Sequence, residues 1–302
     1  MSVRIAFIGV GTMGLPMATN LVRKGFTVTA FDANPDAVKA AAGAGMTAAA
    51  STAEAVAAAD LVITMLPSSP HVESVYTGDG GVLAAARRGT LCVDMSTIDP
   101  AVSQRVAKAA AERGVRFMDA PVSGGTPRAA DGTLAIMVGG SAADFEEARP
   151  ALAAMGTNVI HVGPVGSGEV VKLCNNLIAG VCGVAVSEAF RIAEGFGMDP
   201  KVVTEVISKP SGNTFLMGFM HPVPGMMPQA PASNDYKPGF MTDLMCKDLG
   251  LAVEAARNLR VPLFVTPAAQ QVYRLASSHG LGRRDFTSVY SFLKPSSGQA
   301  PV

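Results

Sequence analysis

The stretch Val3-Arg4-Ile5-Ala6-Phe7-Ile8-Gly9-Val10-Gly11-Thr12-Met13-Gly14 decides the fold of this 302-residue chain. An apolar run of strand length stops at a glycine, and G-x-G-x-x-G follows at once. Residues 16–24 then read as a helix. Strand, glycine turn and helix in that order form the context in which the motif points to a dinucleotide. Gly9 makes the tight turn, Gly11 lets the backbone approach a pyrophosphate, and Gly14 lets helix and strand pack closely. Thr12 and Met13 lead into a helix N-terminus whose N–H groups face the anion. The alternative is a purely structural glycine turn.

Working outward, the next apolar run, residues 27–31, ends at Asp32, 18 residues after Gly14. A carboxylate there accepts hydrogen bonds from the adenosine ribose 2′-hydroxyl and repels a 2′-phosphate. Asp32-Ala33-Asn34-Pro35 contains no Arg or Lys, so NAD is favoured over NADP. The other reading of Asp32 is a helix cap. Further strands are expected at 61–66, 91–95, 116–120, 134–138 and 159–162, with helices at 35–44, 101–113 and 143–155. Near-continuous apolar strands alternating with helices predict a doubly wound parallel sheet covered on both faces. After residue 163 the strand signal stops, and 168–196, 200–207, 243–258 and 266–278 read as helices. The expectation is two domains: residues 1–163, α/β and dinucleotide-binding, and residues 164–302, all-α. Residues 222–239 hold five prolines and read as a surface connection or as a lid. The Pro/Ser-rich tail after Lys294 reads as frayed.

Ligands of open α/β sheets bind beyond the carboxyl ends of the strands. Leu66-Pro67 and Ser96-Thr97 fall there, as cofactor contacts or as caps of the following helices. Asp119-Ala120-Pro121-Val122-Ser123-Gly124-Gly125 follows the fifth strand. It is either an ordinary loop or a turn that holds a carboxylate on its hydroxyl and backbone N–H groups. Lys172 and Asn176 share one helix face at i, i+4. Lys172 is a proton-transfer group, or it snorkels while the amides bond a neighbouring helix. Lys247-Asp248 reads as a surface pair.

Composition narrows the function. Lys+Arg and Asp+Glu number 24 each, so the net charge is zero, without the basic excess that nucleic acid or an anionic membrane demands. Hydrophobic residues make up 49% and charged residues 16%, which suits a large core rather than disorder. Four cysteines lack a Cys-x-x-Cys pair, and a reducing compartment fits them. No signal-peptide layout opens the chain. The longest charge-free apolar stretch, residues 173–187, is too short to span a bilayer. No His or carboxylate spacing suggests a metal, and no G-x-S-x-G elbow suggests a hydrolase. The expectation is a soluble protein.

Taken together, these segments resemble the β-hydroxyacid dehydrogenases. Residues 7–18 resemble the cofactor signature and residues 119–125 the substrate loop. Gly166-Ser167-Gly168 with Lys172 and Asn176 resembles the catalytic segment, and Lys247-Asp248-Leu249 the last active-site motif. The resemblance covers residues 3–293. Ser211-Gly212, Pro222-Val223-Pro224-Gly225 and Gly239-Phe240 are similar to the members that oxidise 3-hydroxyisobutyrate. One departure stands out: a Trp common after Ser-Gly is replaced by Phe215. The resemblance implies a Rossmann domain plus an all-helical domain that packs into homodimers or homotetramers. It implies an NAD-dependent step from 3-hydroxyisobutyrate to methylmalonate semialdehyde, with Lys172 as general acid/base. Ser123, Gly124, Gly125, Asn176 and Phe215 would contact the hydroxy acid. Thr97 and Lys247 would sit near the nicotinamide ribose, beside Leu66 and Pro67. The alternatives are a tartronate or succinic semialdehyde reductase of the same family, and a non-catalytic dinucleotide-binding module. Cytoplasm is the expected location, or mitochondria once a transit peptide has been removed.

Overall fold

The computed structural model describes residues 3–294, so the tail expected to fray lies outside the described residues. The chain divides into two compact units after Lys172.

The first unit is built on nine strands: β1 (Arg4–Ile8), β2 (Thr27–Phe31), β3 (Thr47–Ala48), β4 (Leu61–Thr64), β5 (Leu91–Asp94), β6 (Arg116–Asp119), β7 (Val122–Ser123), β8 (Leu134–Gly139) and β9 (Gly156–Gly163). The order is 3-2-1-4-5-6-8-7, with β9 on β8. Strands 3, 2, 1, 4, 5 and 6 are parallel. β8 runs antiparallel to β6, meeting it at Asp119 and Gly139, and β7 pairs β8 antiparallel. The all-parallel expectation is therefore corrected at this edge. The whole of the β6–β8 connection is β7 and one short helix, and antiparallel neighbours need no long crossover.

The intervening helices are α1 (Gly14–Arg23), α2 (Pro35–Gly43), α3 (Thr52–Val56), α4 (Ser69–Thr77), α5 (Val82–Ala85), α6 (Pro100–Glu112), α7 (Gly125–Asp131) and α8 (Ala142–Met155). They cover both sheet faces. Ile5 and Phe7 enter one core with Met17, Leu21 and Met118, while Ala6 and Ile8 enter the other with Val62, Tyr76 and Phe117. Successive residues of a strand point to opposite faces, so a doubly covered strand is apolar at every position.

The long helix α9 (Ser167–Gly195) begins in the first unit and continues into the second. The expected boundary lay at residues 163–166. The units divide later because the first turn of α9 is tied by Asp119, which accepts the Gly166 and Glu169 N–H groups at 2.6 and 3.0 Å. At 29 residues α9 is also long and apolar enough, by length and composition, to cross a membrane. The charge-free stretch 173–187 is the middle part of this helix. Glu169, Lys172 and Asn176 are nonetheless buried along it, as suits a core helix.

The second unit continues with α10 (Pro200–Ile207), α11 (Phe215–Phe219), α12 (Thr242–Asn258), α13 (Val265–Ala276) and α14 (Val289–Phe292). Its core gathers Val184, Phe190, Leu216, Met245, Leu249, Tyr273 and Phe286. The proline-rich segment 222–239 is pinned rather than hinged. Tyr236 donates to the Pro222 carbonyl at 3.0 Å, and buried Asp285 accepts the Gly239 and Phe240 N–H groups at 3.1 and 2.9 Å. Phe196, Phe264 and Leu259 stay exposed on this unit.

Candidate active site

In the first unit the sheet reverses its order between β1 and β4, and the glycine turn sits at that switch point. The three motif glycines meet three different demands. Gly9 has φ +92°, and a Cβ there would lie 2.3 Å from the Met65 carbonyl oxygen. A Cβ on Gly14 would lie 1.9 Å from the Gly9 carbonyl oxygen. A Cβ on Gly11 would meet nothing within 4 Å. The fold needs Gly9 and Gly14 for its own packing. At Gly11 the space is open, which is where a pyrophosphate would need it. The N-terminus of α1 fits the same anion: Met13 supplies no side-chain cap, and the first turn carries no acidic residue.

Asp32 follows the last residue of β2. It accepts the Asn34 N–H at 2.8 Å, but the side-chain cap of α2 is Asn34, which accepts the Asp36 N–H at 3.0 Å. The helix-cap reading of Asp32 therefore does not hold. Ser96 and Thr97 are not caps either, because Asp99 caps α6. Ser96 instead turns inward and accepts the Leu66 N–H at 2.8 Å. Leu66 and Thr97 are half-buried and Pro67 is exposed at the same rim.

Behind this rim lies a carboxylate the sequence reading did not single out. Asp94, fully buried, accepts the Thr64 hydroxyl at 2.7 Å and the Ser96 hydroxyl at 2.6 Å on one oxygen. Burial pushes its carboxyl up to about 6, opposed by those hydroxyls. Asp119 is also pushed up to about 6 by burial, opposed by the Gly166 and Glu169 N–H groups. Its carboxylate fixes the start of α9, and Gly168 is required there, since a Cβ would fall 2.8 Å from it. A third buried carboxylate, Glu169, accepts the Ile98 N–H at 3.1 Å. An acidic residue inside an apolar strand, as in Val93-Asp94-Met95, was the available sequence signal for the first of these.

The substrate loop continues from β6. Ser123 ends β7, Gly124 precedes α7 at φ +137°, and the stem of Arg128 packs over it. Lys172, buried, closes the first unit on α9.

In the second unit Asn176 follows one turn later on α9. Its amide donates to Asp248 at 2.5 Å and accepts from Asn175 at 2.9 Å. Lys247 pairs with Asp248 at 3.3 Å. Asp248 is 2% exposed, so the surface-pair reading of Lys247-Asp248 is corrected. Asn176 holds it from a position 72 residues away, which sequence spacing does not reveal. Phe215, expected at the substrate, is half exposed at the start of α11. Among the described residues no group of three or more His, Cys, Asp or Glu side chains is gathered to hold a metal ion.

A parallel sheet with an open glycine turn at its switch point defines a dinucleotide-binding protein, and a buried lysine beyond it suits proton transfer. Comparison with known proteins narrows the class. A family profile described as the NAD binding domain of 6-phosphogluconate dehydrogenase matches residues 4–163. One described as NAD-binding of NADP-dependent 3-hydroxyisobutyrate dehydrogenase matches residues 166–293. The chain is 46% identical over 296 residues to an NAD-dependent L-serine dehydrogenase of Pseudomonas aeruginosa, covering 98% of this chain and 99% of that one. It is 42% identical over 290 residues to the mitochondrial 3-hydroxyisobutyrate dehydrogenase of Rattus norvegicus, covering 96% and 87%. The solved structure of Mycobacterium tuberculosis 3-hydroxyisobutyrate dehydrogenase with L-serine superposes with a TM-score of 0.92 at 42% identity, covering 98% and 100%. The chain belongs to the β-hydroxyacid dehydrogenase family. It is an NAD-dependent oxidoreductase that acts on the hydroxyl group of a small molecule.

Proposed function

We propose that the substrate is 3-hydroxyisobutyrate, oxidised at its primary alcohol to methylmalonate semialdehyde. 3-Hydroxyisobutyrate and L-serine share one frame, a 3-hydroxypropanoate, and differ at C2, which carries a methyl group or an ammonium. One observation favours the methyl. In the last matching motif the buried Asp248 carboxylate is already engaged by the Asn176 amide and by Lys247. A buried ammonium needs an acidic partner, and Asp248 already carries a lysine ammonium.

Lys172 takes the alcohol proton as the C3–H hydride leaves, and returns it in the reverse direction. Bound NAD would supply the hydride acceptor. Ser123 and the backbone N–H groups of Gly124 and Gly125 hold the substrate carboxylate, and Asn176 orients the hydroxyl. Phe215 borders the C2 substituent. Asp32 holds the adenosine ribose, Gly9, Gly11, Thr12, Met13 and Gly14 the pyrophosphate, and Leu66, Pro67, Thr97 and Lys247 the nicotinamide side. The protein thus supplies orientation and proton transfer.

The second reading, L-serine, is supported by the 46% identity to the serine dehydrogenase. The ratio of kcat/KM for 3-hydroxyisobutyrate over L-serine, at saturating NAD, separates the two. The proposal predicts a ratio of about ten or more, the usual worth of one group in a pocket. A ratio below one would transfer the assignment to serine.

A further inference from the structure

Thr97 lies at the rim between two neighbours that are each held by a buried carboxylate. On one side Ser96 donates its hydroxyl to Asp94 at 2.6 Å and accepts the Leu66 N–H at 2.8 Å. On the other side the Ile98 N–H donates to Glu169 at 3.1 Å. Ser96, Ile98, Asp94 and Glu169 are all fully buried.

Proton directions around Asp94 fit only one arrangement when it is ionised. Thr64 and Ser96 both donate to its Oδ1. The Thr64 hydroxyl has then used its proton, so Tyr76, 3.1 Å away, donates to it. Ser96 likewise has a lone pair free for the Leu66 N–H. Two hydroxyls therefore donate to one anion, each accepting a further donor, Tyr76 or the Leu66 N–H, and the two rim segments, 66–67 and 96–98, are locked to each other through Ser96. Glu169 adds a second anchor from the first turn of α9, the helix that carries Lys172. Hydrogen bonds are strengthened in such a buried, low-dielectric setting, so these hold both segments in place.

We propose that Ser96 and Glu169 are positioning residues that hold the Thr97 segment and the Leu66 peptide in the shape that receives the nicotinamide half of NAD. Preorganisation of this kind lowers the ordering cost of binding. The inference rests on the reading of Leu66, Pro67 and Thr97 as cofactor contacts. It separates the two halves of the dinucleotide by strand: Asp32 on β2 lies on one side of the switch point, and β4 and β5 lie on the other. Ser96 and Glu169 therefore bear on the nicotinamide half alone.

The test is titration of the full chain with NADH and, separately, with ADP, which lacks the nicotinamide half. Ser96→Ala and Glu169→Met should each raise the NADH Kd about tenfold, the effect of one lost positioning bond, while the ADP Kd stays within about twofold. Glu169→Gln keeps an acceptor for the Ile98 N–H and should bind NADH within about threefold of the wild type. Should Glu169→Met fail to fold, Ser96→Ala alone decides the matter. Gly11→Val serves as the reference for the cofactor turn. Unchanged NADH affinity in Ser96→Ala, with binding lost in Gly11→Val, overturns the positioning role and leaves the cofactor rim standing. Equal weakening of NADH and ADP also overturns it, as a general loss of structure. Wild-type binding by Gly11→Val overturns the cofactor turn and the inference with it.

Discussion

At the residue scale the three glycines of the turn separate packing from binding. Gly9 and Gly14 leave no room for a Cβ, whereas Gly11 faces open space. Gly14→Ala should lower the thermal unfolding midpoint sharply, as overpacking does. Gly11→Val should leave the midpoint nearly unchanged and weaken NADH binding by at least about tenfold. Loss of stability in Gly11→Val would show that the open space is filled by the protein itself. Asp32 carries a separate expectation. Its carboxylate repels a 2′-phosphate, so Asp32→Ala should narrow the preference for NAD over NADP, read as the ratio of kcat/KM values. An unchanged ratio would assign that discrimination to another residue. These expectations could be drawn from the sequence because a glycine motif and a strand-end carboxylate are local signals. The buried carboxylates were not legible there. Asp119 reaches N–H groups 47 and 50 residues away, and Glu169 one 71 residues away. Nothing in their immediate sequence announces such partners.

At the scale of elements, β5, an interior strand of the sheet, ends on a buried carboxylate. Asp94 is pushed up to about 6 from an ordinary 3.8. A raised carboxyl means that the folded state holds more protons than the unfolded one between these values. The stability that Asp94 contributes is therefore full below about 3.8 and is lost as pH rises to about 6. The ionised form costs on the order of 3 kcal/mol above that pH, at ~1.36 kcal/mol per unit. The groups facing Asp94 are Thr64 on β4, Ser96 after β5 and Asp119 on β6, with Tyr76 on α4 bonded to Thr64 and raised in turn by Asp94. Asp94→Asn keeps the acceptor oxygen for Thr64 and Ser96 without the charge. Thermal unfolding followed from pH 4 to pH 7 should show the variant gaining on the wild type as pH rises to about 6, over the common background set by Asp119, Asp285 and His221. Parallel curves for variant and wild type would contradict the account. The elements themselves were mostly visible beforehand, since doubly covered strands are apolar at every position. The reversed direction of β8 was not, because side-chain alternation carries no polarity. The two-residue strands β3 and β7 are too short to leave a pattern.

At the scale of the whole molecule, one chain carries a dinucleotide-binding sheet, a helix with a buried lysine, and a helical unit whose Asn176, Lys247 and Asp248 form one network. The order of the motifs along the chain was enough to suggest the chemistry. The substrate was less legible, because 3-hydroxyisobutyrate and L-serine differ by one group at C2 and the same motifs serve both. The account turns on Lys172 as the group that moves the proton. Its most direct test is Lys172→Ala, assayed for NAD reduction at saturating 3-hydroxyisobutyrate and for NADH affinity by titration. The account predicts an unchanged NADH Kd with turnover lowered by at least about two orders of magnitude, the share of a general acid/base. Turnover close to the wild type would contradict it.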